Sequence, residues 1–466
     1  MIVRYYYSFT FSKFKILVFK FIDTLINQET TYQSLINFLE KKHPKIKGTK
    51  EGDKIISSEE FEKEIPKIIS NLENSYLYIQ GPPGTGKTYQ AANAILKLLK
   101  QNKKIAITGL SHKVIHNLLQ RIEKIAVDEQ FEFKGFKRGN LEDDDTIFNG
   151  EFIKTYSKDP VFMDALKEKD TGYIFAGTKF HLASSYYDQA IDYLFIDEAG
   201  QVSLADLISI GNIAKNIVLI GDQNQLGQPI KGTHPNDSGQ SILDYLLEGR
   251  DTIPEDRGIF LNKTYRLHSS INHFISSNFY EERLICDEGT DKRIINFTKK
   301  NKIKKSGIHY IEMNHKNNVQ TSIEEFEVVR DLIKDMVGLE FDDKGNKRKL
   351  TIEDFLIISP YNTQVNMLIS KLEEAKIHNP KVGTIDKFQG QQAPITIISM
   401  TSSDSDSLPR NKEFFFDRNR LNVAISRAQV ASIILFNPNL LDNSPKDLNQ
   451  IKLMNNFFKL LNYKSN

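Results

Sequence analysis

One stretch of nine residues, Gln80-Gly81-Pro82-Pro83-Gly84-Thr85-Gly86-Lys87-Thr88, restricts what this chain can fold into more than any other. It follows a short apolar run, Tyr76 to Ile79. It precedes a stretch in which Ala91, Ala92, Ile95, Leu98 and Leu99 recur at helical spacing. Strand, glycine-rich loop and helix form the context in which backbone N–H groups turn inward around phosphate oxygens, with the helix N-terminus adding partial positive charge. In such a loop Lys87 reaches the β- and γ-phosphates and the Thr88 hydroxyl ligates Mg²⁺. The loop therefore leads us to expect a bound nucleotide with Mg²⁺.

Short apolar runs that lack period-two alternation recur at 105–108, 173–176, 193–196 and 217–220, as expected of parallel strands buried on both faces. Similar runs return at 258–261, 355–359, 395–400 and 431–436. Between them lies an amphipathic helix over 323–337, opened by a capping box of Ser322 and Glu325. Alternating strands and helices imply doubly wound α/β sheets. The expected division is a lead-in segment over 1–70, a first domain with the phosphate loop over 71–252, and a second without one over 253–466. A charged insertion at about 128–170 reads as an exposed loop. Within it an aromatic between basic residues, Lys134-Gly135-Phe136-Lys137-Arg138, is the one hint of nucleic-acid contact.

Composition narrows the functional classes. A net charge of +2 offers no global basic field, so any nucleic-acid groove must be local. The single cysteine, Cys286, excludes an intramolecular disulfide and a four-cysteine iron–sulfur cluster, and fits a reducing, cytoplasmic setting. Residues 1–27 are rich in aromatic and apolar side chains. Lys13, Lys15, Lys20 and Asp23 interrupt them, so no apolar run is long enough for a membrane span. They read as a core-packing element or as the remnant of something longer.

Further carboxylates and arginines complete a reactive set. The run Leu194-Phe195-Ile196 ends in Asp197-Glu198, where Asp197 would hold Mg²⁺ and Glu198 would orient and deprotonate the attacking water. Gln225, in Gly221-Asp222-Gln223-Asn224-Gln225, can hydrogen-bond a γ-phosphate or its water without adding charge. An arginine such as Arg266 or Arg427, delivered onto the γ-phosphate, neutralises charge in the transition state. From spacing alone the reading of the two arginines as surface ion pairs wins.

Taken in order, the motifs resemble those of a superfamily 1 helicase of the 5′→3′ branch. That group holds the nonsense-mediated-decay helicases and the lagging-strand nuclease-helicases. The motifs are Gly81 to Thr88, Thr108 to Lys113, Gly177-Thr178, Asp197 to Gln201, Gly221 to Leu226, Tyr265 to His268, Ser359 to Val365, Gly383 to Gly390 and Asn419 to Ala428. The nearest variant fuses such a motor to a RecB-type nuclease, and Gly232-Thr233-His234-Pro235 and Arg418 to Arg427 match its hallmarks.

The resemblance implies two tandem RecA-like domains with the ATP site in the cleft between them. It implies that Gly81, Pro82, Pro83, Gly84, Thr85, Gly86, Lys87 and Thr88 cradle ATP, that Tyr265 stacks on the adenine, and that Arg266 and Arg427 are arginine fingers. Gln225 becomes the γ-phosphate sensor. Ser111, His112, Thr178, Pro360, Asn362, Thr384 and Gln389 fall in motifs that contact a nucleic-acid strand. The implied activity is ATP-dependent 5′→3′ translocation or unwinding on single-stranded DNA, with RNA as the other substrate class.

The chain departs from the family at Gln392, where the relatives carry Glu. The 70 residues upstream are too few for a nuclease, so a separate nuclease subunit is an expected partner, and the oligomeric state is left open. The rival readings are an ATP-gated nucleic-acid clamp or adaptor that does not unwind, and the motor half of a split nuclease-helicase.

Overall fold

The computed structural model describes residues 2–56, 61–227, 236–404, 416–441 and 448–463. Two compact units emerge. One comprises Met1–Gly81, Gly86–Gln223 and Gly227–Leu261; the other comprises Pro82–Thr85, Asn224–Leu226 and Asn262–Asn466.

The first unit is built on eight strands: β1 (Tyr76–Gln80), β2 (Ile105–Thr108), β3 (Lys134–Arg138), β4 (Ile153–Tyr156), β5 (Tyr173–Ala176), β6 (Ile191–Ile196), β7 (Ala214–Gly221) and β8 (Gly258–Phe260). Their order is β4-β3-β5-β2-β6-β7-β1-β8, with every pairing parallel. Five helices matter to the argument: α1 (Ile2–Ile26), α2 (Gln33–Leu39), α3 (Phe61–Ser70), α4 (Lys87–Leu99) and α5 (His112–Asp128).

Every residue of β1 is buried, because both faces of the sheet are covered. Leu77 and Ile79 join an apolar cluster with Ala91, Ile95 and Leu98 of α4 and with Ile65 and Ile69 of α3. On the opposite parity, Tyr76 meets Phe38 of α2 edge-on at 5.3 Å. Each such side chain contributes about 1.5–3 kcal/mol by leaving water.

Three sequence expectations change here. The stretch 1–70 carries α1, α2 and α3 and is part of the first unit: Leu17 and Phe21 of α1 are buried, and α3 packs into the α4 cluster. The first sheet runs past 252, because β8 pairs in parallel with Tyr78–Gln80 and so belongs with β1. An apolar run alone cannot reveal which strand it will sit beside. Most altered is 128–170, which supplies the edge strand β4, its neighbour β3 and a helix over Asp159–Lys167 in place of a loop. Phe136 is 4% exposed and stacks on Phe175 at 5.7 Å, with Tyr173, Tyr156 and Phe162 around it. Gly135 is required where β3 crosses Ile153, since a Cβ there would stand 2.7 Å from the isoleucine side chain.

The second unit holds β9 (Lys263–Thr264), β10 (Ile285–Cys286), β11 (Arg293–Ile295), β12 (Gly307–Glu312), β13 (Glu340–Asp343), β14 (Asn346–Lys349), β15 (Phe355–Ile358), β16 (Val382–Gly383), β17 (Ala393–Ser399) and β18 (Ala428–Phe436). Its main sheet has the order β12-β18-β17-β15-β16, again all parallel. The edge strand β12 has no counterpart in the sequence reading. The helix Ile323–Met336 buries Val329, Leu332 and Ile333 against Ile357, Ile395 and Ile397. Only half of the expected capping box forms. Ser322 Oγ accepts from the Glu325 N–H at 3.1 Å, while the Glu325 carboxylate turns inward to His315, Ser399 and Thr401.

Candidate functional site

The phosphate-loop residues lie directly after β1. Gly84 and Gly86 have φ of +75° and +80°, the left-handed region that glycine enters without steric cost. Gly86 caps α4, so Lys87 and Thr88 occupy its first turn. Lys87 Nζ donates to the Gly81 carbonyl at 2.7 Å, which folds the lysine back over its own loop. Thr85 Oγ1 closes the loop by donating to the Pro82 carbonyl at 2.8 Å.

Asp197 and Glu198 follow β6 at the same, C-terminal edge of the sheet. Asp197 is 5% exposed, and its carboxylate accepts from the Glu198 N–H at 2.9 Å. Burial first, then the neighbouring Glu198 carboxylate, push the Asp197 pKa up, while Lys87 pulls it down. That opposition places Lys87 and Asp197 within electrostatic reach, as a phosphate–metal site requires. Glu198 itself is held at φ +54°, strain of about 1–3 kcal/mol of the kind that collects at functional sites. Thr88 Oγ1 and the Asp197 carboxylate are hard oxygen donors, so this residue set fits Mg²⁺.

The crest of the loop, Pro82–Thr85, belongs to the second unit by its contacts. There Thr264 Oγ1 donates to the Pro83 carbonyl at 2.8 Å and the Tyr265 N–H donates to that of Gly84 at 2.9 Å. A Cβ on Gly84 would stand 2.3 Å from that of Arg266, so glycine is obligatory at this approach.

The Tyr265 ring is 38% exposed. Arg266 is oriented by Gln392, whose Oε1 accepts from Nε at 2.6 Å, and by the Ser426 carbonyl at 3.2 Å. Burial, followed by the like charges of Arg427 and Arg293, lowers the Arg266 pKa. Arg427 closes the helix Arg418–Ser426 and donates to the Gln391 carbonyl at 3.3 Å. Gln225 is half-buried. Its neighbour Asn224 is pinned by Phe279 and Asn422.

The residues expected at the strand also sit at C-terminal ends of parallel strands. Ser111 follows β2 and caps α5, its Oγ accepting from Val114 N–H, and His112 opens that helix. Thr178 follows β5, the neighbour of β2. In the second unit Pro360 and Asn362 follow β15, while Thr384 and Gln389 flank the turn after its neighbour β16. Gly232–Pro235 lie outside the described residues.

Two participants were missed in the sequence. Arg293 donates to the carbonyls of Tyr265 and Arg266 at 3.0 Å each and holds that backbone in place. Lys137, read as part of a loop, is fully buried beside His112. Neither has a local motif, because His112 lies 25 residues from Lys137 and Tyr265 lies 28 residues from Arg293 in sequence.

Two family models, each described as an AAA domain, match residues 66–230 and 239–439. The chain is similar to the DNA replication ATP-dependent helicase/nuclease dna2 of Schizosaccharomyces pombe, 27% identical over 81% of this chain and 28% of that protein. It is also similar to the DNA polymerase alpha-associated DNA helicase A of the same organism, 26% identical over 75% of this chain and 59% of the relative. The chain thus spans 28% to 59% of the length of these two relatives. Among solved structures, Arterivirus nonstructural protein 10 (helicase) with DNA aligns over 78% of this chain and 61% of its own, at 15% identity and a TM-score of 0.41. By sequence, the chain belongs to superfamily 1 of the helicases, as a member with two AAA domains in tandem.

Proposed function

We propose that this chain is an ATP-dependent motor that moves 5′→3′ along single-stranded DNA and unwinds the duplex ahead of it. The observation that carries this reading is the sharing of one sheet edge. Lys87, Thr88, Asp197 and Glu198 lie at the C-terminal ends of β1 and β6, and Ser111, His112 and Thr178 lie at those of β2 and β5. Open α/β sheets bind ligands at this edge. Bound Mg²⁺ would neutralise phosphate charge, with Thr88 and Asp197 as its protein ligands. Lys87 leaves the Gly81 carbonyl to meet the β- and γ-phosphates. Glu198 takes the proton of the attacking water, Gln225 senses the γ-phosphate, and Arg266 and Arg427 offset its developing charge. Tyr265 stacks on the base. Backbone and hydroxyl groups of Ser111, Thr178, Pro360, Asn362, Thr384 and Gln389, with the His112 imidazole, grip the strand without reading its sequence.

The names of the two yeast relatives favour DNA, and a relative named RNA helicase Mov10l1 keeps RNA in the experiment. The test is ATP turnover with single-stranded DNA, with single-stranded RNA and with neither, followed by strand displacement from 5′-tailed and 3′-tailed duplexes. DNA-stimulated turnover, lost in Lys87→Ala and Arg427→Ala, with displacement only from the 5′ tail, is the expected result. Stimulated turnover retained in either variant overturns the assignment. Slow turnover without displacement identifies a clamp.

A further inference from the structure

The Lys134–Arg138 motif is not an exposed basic loop, and its buried lysine makes a contact that the proposed function leaves unused. Lys137 is fully buried on β3. Its ammonium lies 2.6 Å from Nδ1 of His112 and 2.5 Å from the carbonyl oxygen of Thr146. An ammonium only donates, so the Thr146 carbonyl and His112 Nδ1 both accept. A ring that accepts at Nδ1 carries its hydrogen on Nε2. A second proton on that ring would have to displace the Lys137 bond and stand against a positive charge.

We infer that Lys137 is a positioning residue for the nucleic-acid strand: it locks His112 in the neutral Nε2–H tautomer and presents a fixed, uncharged donor for a phosphate or sugar oxygen. The inference rests on the strand-contact role proposed for His112. The consequence is a grip that does not change with pH across the range in which histidine ordinarily titrates.

The surroundings favour the neutral ring. Its pKa is lowered, by burial first and by the Lys137 charge second, against the opposing carboxylate of Asp143. Asp143 lies in the turn before the short helix Asp144–Thr146. On α5 itself, His116 stands one turn along, its ring 6.2 Å from that of His112, and burial, Lys137 and His112 all lower its pKa. These are the titratable groups that face His112 from β3, from the turn and from its own helix. Lys137 has no exposed surface, so it makes no phosphate contact of its own and acts through the imidazole.

The test uses the full chain, with binding of a fluorescent oligo(dT) followed at several salt concentrations from pH 5.5 to 7, below the value of about 8 to which burial lowers Lys137, so that the lysine stays an ammonium throughout. The variants are Lys137→Met, Lys137→Arg, His112→Asn and the double variant Lys137→Met/His112→Asn. With the lysine removed, the ring is free to protonate. Lys137→Met should bind several-fold more weakly than wild type at pH 7. It should then gain roughly tenfold in affinity towards pH 5.5 relative to wild type, with about 0.7 added to the salt slope for one new phosphate contact.

That acquired pH dependence should vanish in the double variant, and Lys137→Arg, which keeps a donor at Nδ1, should stay as flat as wild type. Histidine-selective NMR should find the His112 pKa raised in Lys137→Met, a measurement that needs no strand and covers the case of poor binding. Weakened binding in His112→Asn with a pH-flat Lys137→Met and an unmoved His112 pKa overturns the positioning role while the strand contact stands. Wild-type affinity in His112→Asn overturns the strand contact, and the inference with it.

Discussion

The Nε–H of Arg266 donates to Oε1 of Gln392 at 2.6 Å, across 126 residues of sequence. Gln392 stands where the family pattern has glutamate, so the guanidinium is aimed by a neutral acceptor while Arg427 and Arg293 crowd it with like charge. Gln392→Glu would keep the geometry and relieve that repulsion. Because position 392 is solvent-exposed, the gain is screened and amounts to about 1 kcal/mol. Urea unfolding should show a raised midpoint with an unchanged slope. A midpoint at or below that of wild type contradicts this account of the pair.

Glu198 sits at φ +54° beside a buried Asp197. Its proposed task is to take a proton from water. Glu198→Gln should therefore leave nucleotide binding near wild type while turnover falls by ~10²–10⁴-fold. Binding of a fluorescent ATP analogue and steady-state hydrolysis separate the two effects. A comparable loss in both would make Glu198 part of the binding site instead.

Phe136 tests whether residues 128–170 belong to the core. The ring is 4% exposed and touches four other aromatic rings of the first unit. Phe136→Ala should cost about 3–5 kcal/mol, the range for truncating a buried aromatic. Denaturant unfolding followed at the strands of the first unit should report the loss. A cost below 1 kcal/mol would return the segment to the surface.

The phosphate loop, the strand before it and the Asp197-Glu198 pair were legible because each is written in consecutive residues with its own periodicity. The parallel character of the sheets was legible from runs that do not alternate. Hidden were the features that depend on who packs against whom. Lys134–Arg138 looks like a solvated charge run, yet Phe136 and Lys137 point into the unit and only a tertiary partner explains the lysine. β8 was credited to the wrong half because its three residues carry no mark of their neighbour. Arg266 stood out in the sequence, but its partner Gln392 appeared only as a departure from the family pattern.

His116 gives the first unit a specific acid sensitivity. Burial first, then the Lys137 charge, then His112, lower its pKa to about 4, against a stabilising bond with the Thr146 backbone. Between pH 6.5 and about 4 the unfolded chain binds more protons at this position than the native one, so stability rises with pH across that window. The contribution is complete above 6.5 and is lost as the pH falls towards 4. His116→Gln, which does not titrate, should flatten this part of the pH–stability curve. An equally steep curve in the variant would assign the acid sensitivity elsewhere.

In the second unit Glu325 is fully buried, and burial raises its pKa. Its carboxylate faces His315 Nε2 at 3.2 Å and accepts from the Thr401 N–H at 2.9 Å and from Ser399 Oγ. These partners join the start of the helix Ile323–Met336 to the end of β17, two strands from the neighbouring turn of Thr384 and Gln389. Glu325→Ala would leave a buried N–H and an imidazole without their acceptor, at a cost of about 3–5 kcal/mol. Glu325→Gln keeps one carbonyl acceptor and should cost about 1–3 kcal/mol. The helix cap at Ser322 survives both changes, because Ser322 Oγ accepts from the backbone and not from the carboxylate. Equal losses in the two variants, by urea unfolding, would mean that the space filled by the side chain matters and its hydrogen bonds do not.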